Sequence, residues 1–203
     1  HPYHPPTIPL PNYNPANKLN QLHALLYMFL PLTLLLTLTY IYTGTLRFPT
    51  TSSTRLTCSE RVLTSWYALN FALHTFFEGA FLLHAPHFTL HSSPTLLAAL
   101  WREYALADSR YLLPPTHPSF TFIYAVELIT VCVTGPLCAV CVWGVVRRSE
   151  WRGVVMVVVA AAHLWGVGMY FLTSWLEGER WCSQVGGYRW GYFWGLNAPW
   201  VGV

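Results

Sequence analysis

The sequence predicts an all-α integral membrane protein, a bundle of five transmembrane helices. Two observations carry that prediction. Of the 203 residues, 54% are hydrophobic and only 9% are charged, against about 25% charged in a typical soluble domain. Such a chain lacks the charge to cover a water-facing surface, and lipid is the surface it suits. The apolar residues also gather into long runs, and a helix of about 20 such residues crosses a bilayer. The formal net charge is +3, with 11 Lys and Arg scattered along the chain, so no nucleic-acid partner is expected. Five cysteines, an odd number, do not suggest a disulfide framework. Cys138 and Cys141 form a C-x-x-C inside an apolar run and read as small buried hydrophobes.

Residues 1–18 form a Pro-rich N-terminal arm with no secretory signal pattern, and 19–203 form the transmembrane domain. The first span, 19–46, has no charged residue. Pro31 within it is a kink that membrane helices tolerate. The second, 62–84, holds His74 and Glu78; a loop of mixed polarity, 85–118, follows. Its histidines His84, His87 and His91 have loose metal-like spacing but no carboxylate beside them, and read as solvated. The third span, 119–146, has one charge, Glu127, and the fourth, 153–175, has none but includes His163. The fifth, 190–203, is short for a span. An odd number of crossings puts the termini on opposite sides. Arg47, Arg55, Arg61, Arg147, Arg148 and Arg152 then share the C-terminal side, which makes a cytosolic C-terminus the expectation.

A carboxylate at mid-membrane costs about 2.5–3.5 kcal/mol on insertion scales, so Glu78 and Glu127 are functional candidates. His74 and Glu78, four apart, share a helical face. Glu127 and Thr130 are three apart, as are Asn197 and Trp200, so three helices each present a pair able to converge on one interior cavity. Satisfied interhelical hydrogen bonds are the simpler reading of Thr130 or Asn197 alone. Two carboxyls and a histidine in one small bundle point instead to a proton donor and acceptor set. His163 has no acidic partner on its own helix and reads as packing. Trp190, Trp194 and Trp200, with Tyr192 and Phe193, crowd the last span; aromatic faces stabilise cations, though an interfacial belt explains Trp190 and Trp194 equally well.

Several motifs, in order and spacing, carry a family resemblance over almost the whole chain. They are H-P-Y-x-P at His1 to Pro5, H-x3-E-G at His74 to Gly79, and L-W-R-E-Y-A-x2-D-S-R-Y at Leu100 to Tyr111. Further on come E-x-I-T-x4-G-P at Glu127 to Pro136, Y-F-L-T at Tyr170 to Thr173, and Y-x-W-x-Y-F-x3-N-A-x-W at Tyr188 to Trp200. The sequence resembles the emopamil-binding protein family, whose founding member is the sterol Δ8–Δ7 isomerase of the endoplasmic reticulum. The resemblance implies a five-helix bundle with a cavity open to the bilayer, and homodimers. It implies isomerase chemistry without a cofactor or metal, on a sterol or related polycyclic lipid, through protonation to a carbocation and deprotonation.

On that resemblance, His74, Glu78, Glu127, Thr130 and Asn197 handle protons. Trp200 faces the cation, and Trp190, Tyr192, Tyr104, Tyr111 and Tyr170 bind substrate. Asp108 and Arg110 pair to close the cavity or hold the fold. Three positions depart from the family pattern: Val167 where an Asp is usual, Thr134 where a Trp is usual, and Pro199 between Asn197 and Trp200. They motivate an alternative, acid-driven cyclisation or isomerisation of a terpenoid or polyketide. A non-catalytic sterol- or amine-binding protein, like the sigma-2 receptor relatives, is a further alternative.

Overall fold

The computed structural model describes residues 1–10, 13–47 and 55–201; residues 202 and 203 of the expected fifth span lie outside the described residues. Their regular elements are all helices, and the one β-bridge among them joins Asp108 to Cys182. Helix α1, Gln21–Thr45, begins where the Asn20 side chain accepts from the Leu22 amide at 2.9 Å. Leu22, Leu26, Leu30, Leu34 and Leu38, spaced four apart, all face outward. Only 6% of the apolar window of this helix is buried inside the protein. Such a ridge is a liability in water and the natural surface in lipid.

Helix α2 runs through 58–84, starting four residues ahead of the expected span. Thr57 and Glu60 form a reciprocal capping box that fixes its first turn. Between Leu73 and Glu78 it widens into a π-helical turn before continuing as Gly79–His84. Helix α4, Pro118–Val146, has a matching π turn at Thr130–Thr134. The two π turns face each other, and a Cβ on Gly135 would come within 3.1 Å of the His74 Cβ. A glycine there is what lets α4 approach α2 at that level.

The stretch 85–118 is not a solvated loop. It contains helix α3, Leu96–Tyr104, and a 3₁₀ turn, Ser109–Leu112. Trp101, Tyr111 and Leu112 from it sit with Phe81 and Phe120 in the main hydrophobic core, and Phe77 stacks on Trp101 at 4.4 Å. His91 is buried between Tyr3 and Tyr13, and burial pushes its imidazole down to about 4. Much of the polarity that suggests a loop is absorbed by internal partners. Asp108 and Arg110 form a fully buried ion pair, 2.6 Å at its shortest. Arg110 also donates to the Thr173 hydroxyl (3.1 Å) and the Tyr170 carbonyl (3.3 Å).

Helix α5 is Arg152–Leu176. The last segment, α6, is π-helical over Gly187–Gly195 and gives way to a 3₁₀ turn, Ala198–Val201, around Pro199. At about 1.5 Å per helical residue, 187–201 falls short of the roughly 30 Å of a bilayer core. Among the described residues, three helices are long and apolar enough to cross a membrane: Pro15–Thr45, Pro118–Val146 and Arg152–Leu176. All five cysteines are free, and Cys138 and Cys141 pack as small apolar groups against Tyr67 and Val159.

Candidate active site

Two neighbouring cavities share one polar wall. The larger, about 410 Å³, lies between residues 27–35 of α1, the π turn of α2, α3 and the final turn. This is within the usual size range of about 300–1,000 Å³ for small-molecule pockets. Its lining is apolar and aromatic except for a few groups: Glu78, Glu127, Asn197, Tyr104, Tyr111 and the Trp200 indole. The smaller, about 100 Å³, is more polar and adds His74, Thr130, Thr134, His163 and Tyr170. Glu78, Tyr111, Glu127, Asn197 and Trp200 border both.

The polar groups form several short hydrogen-bonded chains along that wall. The His74 Nδ1–H donates to both Glu78 oxygens, at 2.8 and 2.9 Å. That leaves the His74 Nε2 lone pair to accept from His163 Nε2, 3.0 Å away. Glu78, on α2, and Glu127, on α4, lie on the same polar wall and border both cavities. Tyr111 donates its hydroxyl to Glu127 Oε1 at 2.8 Å. Asn197 donates to the Tyr104 hydroxyl (3.0 Å) and the Phe193 carbonyl (2.7 Å). Thr130 spends its proton on the Val126 carbonyl (2.8 Å), leaving only an acceptor towards the smaller cavity.

The geometry thus brings together His74, Glu78, Glu127, Thr130, Asn197, Trp200, Tyr104, Tyr111 and Tyr170. Trp190 and Tyr192 stand apart. Trp190 is 66% exposed, and neither ring borders either cavity. Asp108 and Arg110 also border neither. Val167 and Thr134, two of the departures from the family pattern, line the smaller cavity. Pro199 sits in the 3₁₀ turn from which Trp200 reaches back to α2.

Two participants escape the sequence reading. Asn70, fully buried, accepts the Trp200 indole N–H at 2.6 Å and so sets that ring at the cavity wall. Its signal is present in the sequence, since Asn70, His74 and Glu78 are each four apart. His163 leaves no comparable trace, because its partner lies on another helix. Among the described residues, His74, His163 and Cys138 offer donor atoms within 4.8 Å of one another, the one such group able to hold an ion. Both nitrogens of His74 already have partners there.

The family model for EBP, the EXPanded EBP superfamily (EXPERA), matches residues 96–203. Over 205 residues the chain is 32% identical to a probable 3-beta-hydroxysteroid-Delta(8),Delta(7)-isomerase of Oryza sativa subsp. japonica, covering 99% of this chain and 85% of that protein. The mouse 3-beta-hydroxysteroid-Delta(8),Delta(7)-isomerase is also 32% identical, over 99% of this chain and 82% of its own length. Protoglabretal synthase MOI1 of Citrus sinensis is 32% identical over 70% of this chain and 64% of that protein.

Proposed function

The chain belongs to the expanded EBP superfamily, and from that premise we propose that it is a membrane isomerase moving a ring double bond of a sterol from Δ8 to Δ7. The observation that carries the reading is a pair of carboxyl groups, Glu78 and Glu127, that share the polar wall of an apolar cavity. One carboxyl adds a proton to a ring carbon, and a ring carbocation forms. The other removes a proton from a neighbouring carbon, and the double bond has moved. The step is a net proton shift, so it balances without an oxidant, a reductant or a bound cofactor.

Around that pair, His74 orients Glu78, and Tyr111 orients Glu127. Trp200, its edge held by Asn70, turns its π face to the cation, an interaction worth about 0.5–2 kcal/mol. Tyr104 and Asn197 cap the cavity, while Thr130 and Tyr170 support it from the smaller one. Trp190 serves the membrane interface, and Tyr192 packs in the main hydrophobic core. Asp108 and Arg110 hold the fold.

The α2 helix joins the three apolar helices as a fourth crossing, and the short 187–201 segment makes the fifth where the bilayer thins around it. The 19–203 domain follows a 1–18 arm and sits in the endoplasmic reticulum membrane. Its C-terminus is cytosolic, it assembles as a homodimer, and the larger cavity opens to the bilayer. Incubation with a Δ8-sterol in deuterated water should give a Δ7 product labelled at the newly protonated carbon. Folded protein giving no such product would sink this reading.

A second reading has its own support: Val167 removes a polar group from the smaller cavity, and MOI1, among the relatives, is a protoglabretal synthase. On it, the same acid pair cyclises or isomerises a terpenoid. A product from a triterpenoid but not from the Δ8-sterol would favour it.

A further inference from the structure

His163 has no part in the reaction set out above, yet its position gives it one. It is buried on α5, and its Nε2 lies 3.0 Å from that of His74. Glu78 and Glu127 border both cavities, whereas His74 and His163 border only the smaller one. His74 therefore reaches a substrate in the larger cavity only through Glu78, to which it is bonded at 2.8 Å. The two imidazoles form a line from the smaller cavity to Glu78, and an imidazole can take a proton at one nitrogen while releasing one at the other.

We propose that His163 and His74 are a proton relay that refills Glu78 from the smaller cavity; this rests on the isomerase reading. Each turnover leaves the acid one proton short and the base one proton over. In the refilling step, water in the smaller cavity gives a proton to Nδ1 of His163. His163 passes its Nε2 proton to Nε2 of His74, and His74 passes its Nδ1 proton to the Glu78 carboxylate. Glu127 releases the proton taken from the substrate, which restores the water. Both imidazoles end neutral in their other tautomers, and ring rotation returns them. His163 is thus a positioning and relay residue that never touches substrate. The cavity has the space, since one water needs only about 10–15 Å³.

The test follows the fate of the abstracted proton. Full-length protein is given a Δ8-sterol deuterated at the carbon that loses its proton, in ordinary water. The wild type should release the label to solvent. His163→Gln keeps a polar side chain but cannot pass a proton along. It should turn over about 10- to 100-fold more slowly, and its product should carry the label at the newly protonated carbon. Glu127-to-Glu78 transfer is then the remaining way to refill the acid. Added imidazole should restore rate and label loss to His163→Ala, which answers for any loss of folding in the Gln variant. Label loss equal to wild type in His163→Gln, at any rate, overturns the relay, and so does the absence of imidazole rescue. A wild type that does not isomerise the sterol overturns the isomerase reading and the relay with it; a wild type that does, beside a variant with unchanged label loss, overturns the relay alone.

Discussion

Two of the clusters of buried ionisable groups among the described residues are built on opposite principles. Around Asp108 the pairing is closed. Its carboxylate receives the Arg110 guanidinium and the Arg110 amide, while Arg110 also reaches Thr173 and the Tyr170 carbonyl. Neither residue borders either cavity. Around Glu78 and Glu127 the pairing is open. Each carboxyl has partners, but both also face a space large enough for a lipid-sized molecule. A closed ion pair can only hold the chain in place, whereas an open pair of carboxyls can exchange protons with what enters. Burial alone does not separate the two; an adjoining cavity does.

Breaking one member of each cluster should therefore give opposite outcomes. Glu127→Gln should lower turnover by about 10²- to 10⁴-fold, the usual share of general acid–base catalysis, with little change in thermal unfolding. Asp108→Ala should do the reverse, costing about 3–5 kcal/mol by leaving Arg110 charged and unpaired; unfolding in detergent reads this, and any folded fraction should retain turnover per molecule. Trp200→Phe keeps an aromatic face but strands the Asn70 side-chain oxygen. It should cost about 1–3 kcal/mol and weaken substrate binding more than Asp108→Ala does in its folded fraction. Trp190→Ala should change both stability and turnover least, within about 0.5 kcal/mol, as for a surface position away from such features. A large loss of turnover in that variant would show that the larger cavity is not where substrate lies.

The helical character and the main carboxyls were legible because hydropathy and four-residue spacing are local properties. Gln21–Thr45 and Arg152–Leu176 lie within two residues of the ends expected for them. The 85–118 stretch was not legible. Several of its polar residues find partners far along the chain: the Ser109 hydroxyl donates to the Trp181 carbonyl, and Glu103 accepts from the Tyr188 hydroxyl. Composition cannot distinguish a polar group in water from one satisfied inside. The π turns were hidden as well, since a single extra residue in a turn hardly alters an apolar pattern. They widen α2 and α4 at the level where His74, Glu78 and Thr130 stand. His163 was missed for the same reason as the Ser109 contacts, its partner being 89 residues away.

The central claim is that Glu78 and Glu127 move the protons. Wild type, Glu78→Gln and Glu127→Gln, each shown to be folded, would be given a Δ8-sterol in deuterated water. The Δ7 product would then be analysed for deuterium at the newly protonated carbon. The account predicts labelled product from the wild type and a loss of about 10²-fold or more in both variants. Labelled product formed at the wild-type rate by either variant would contradict it.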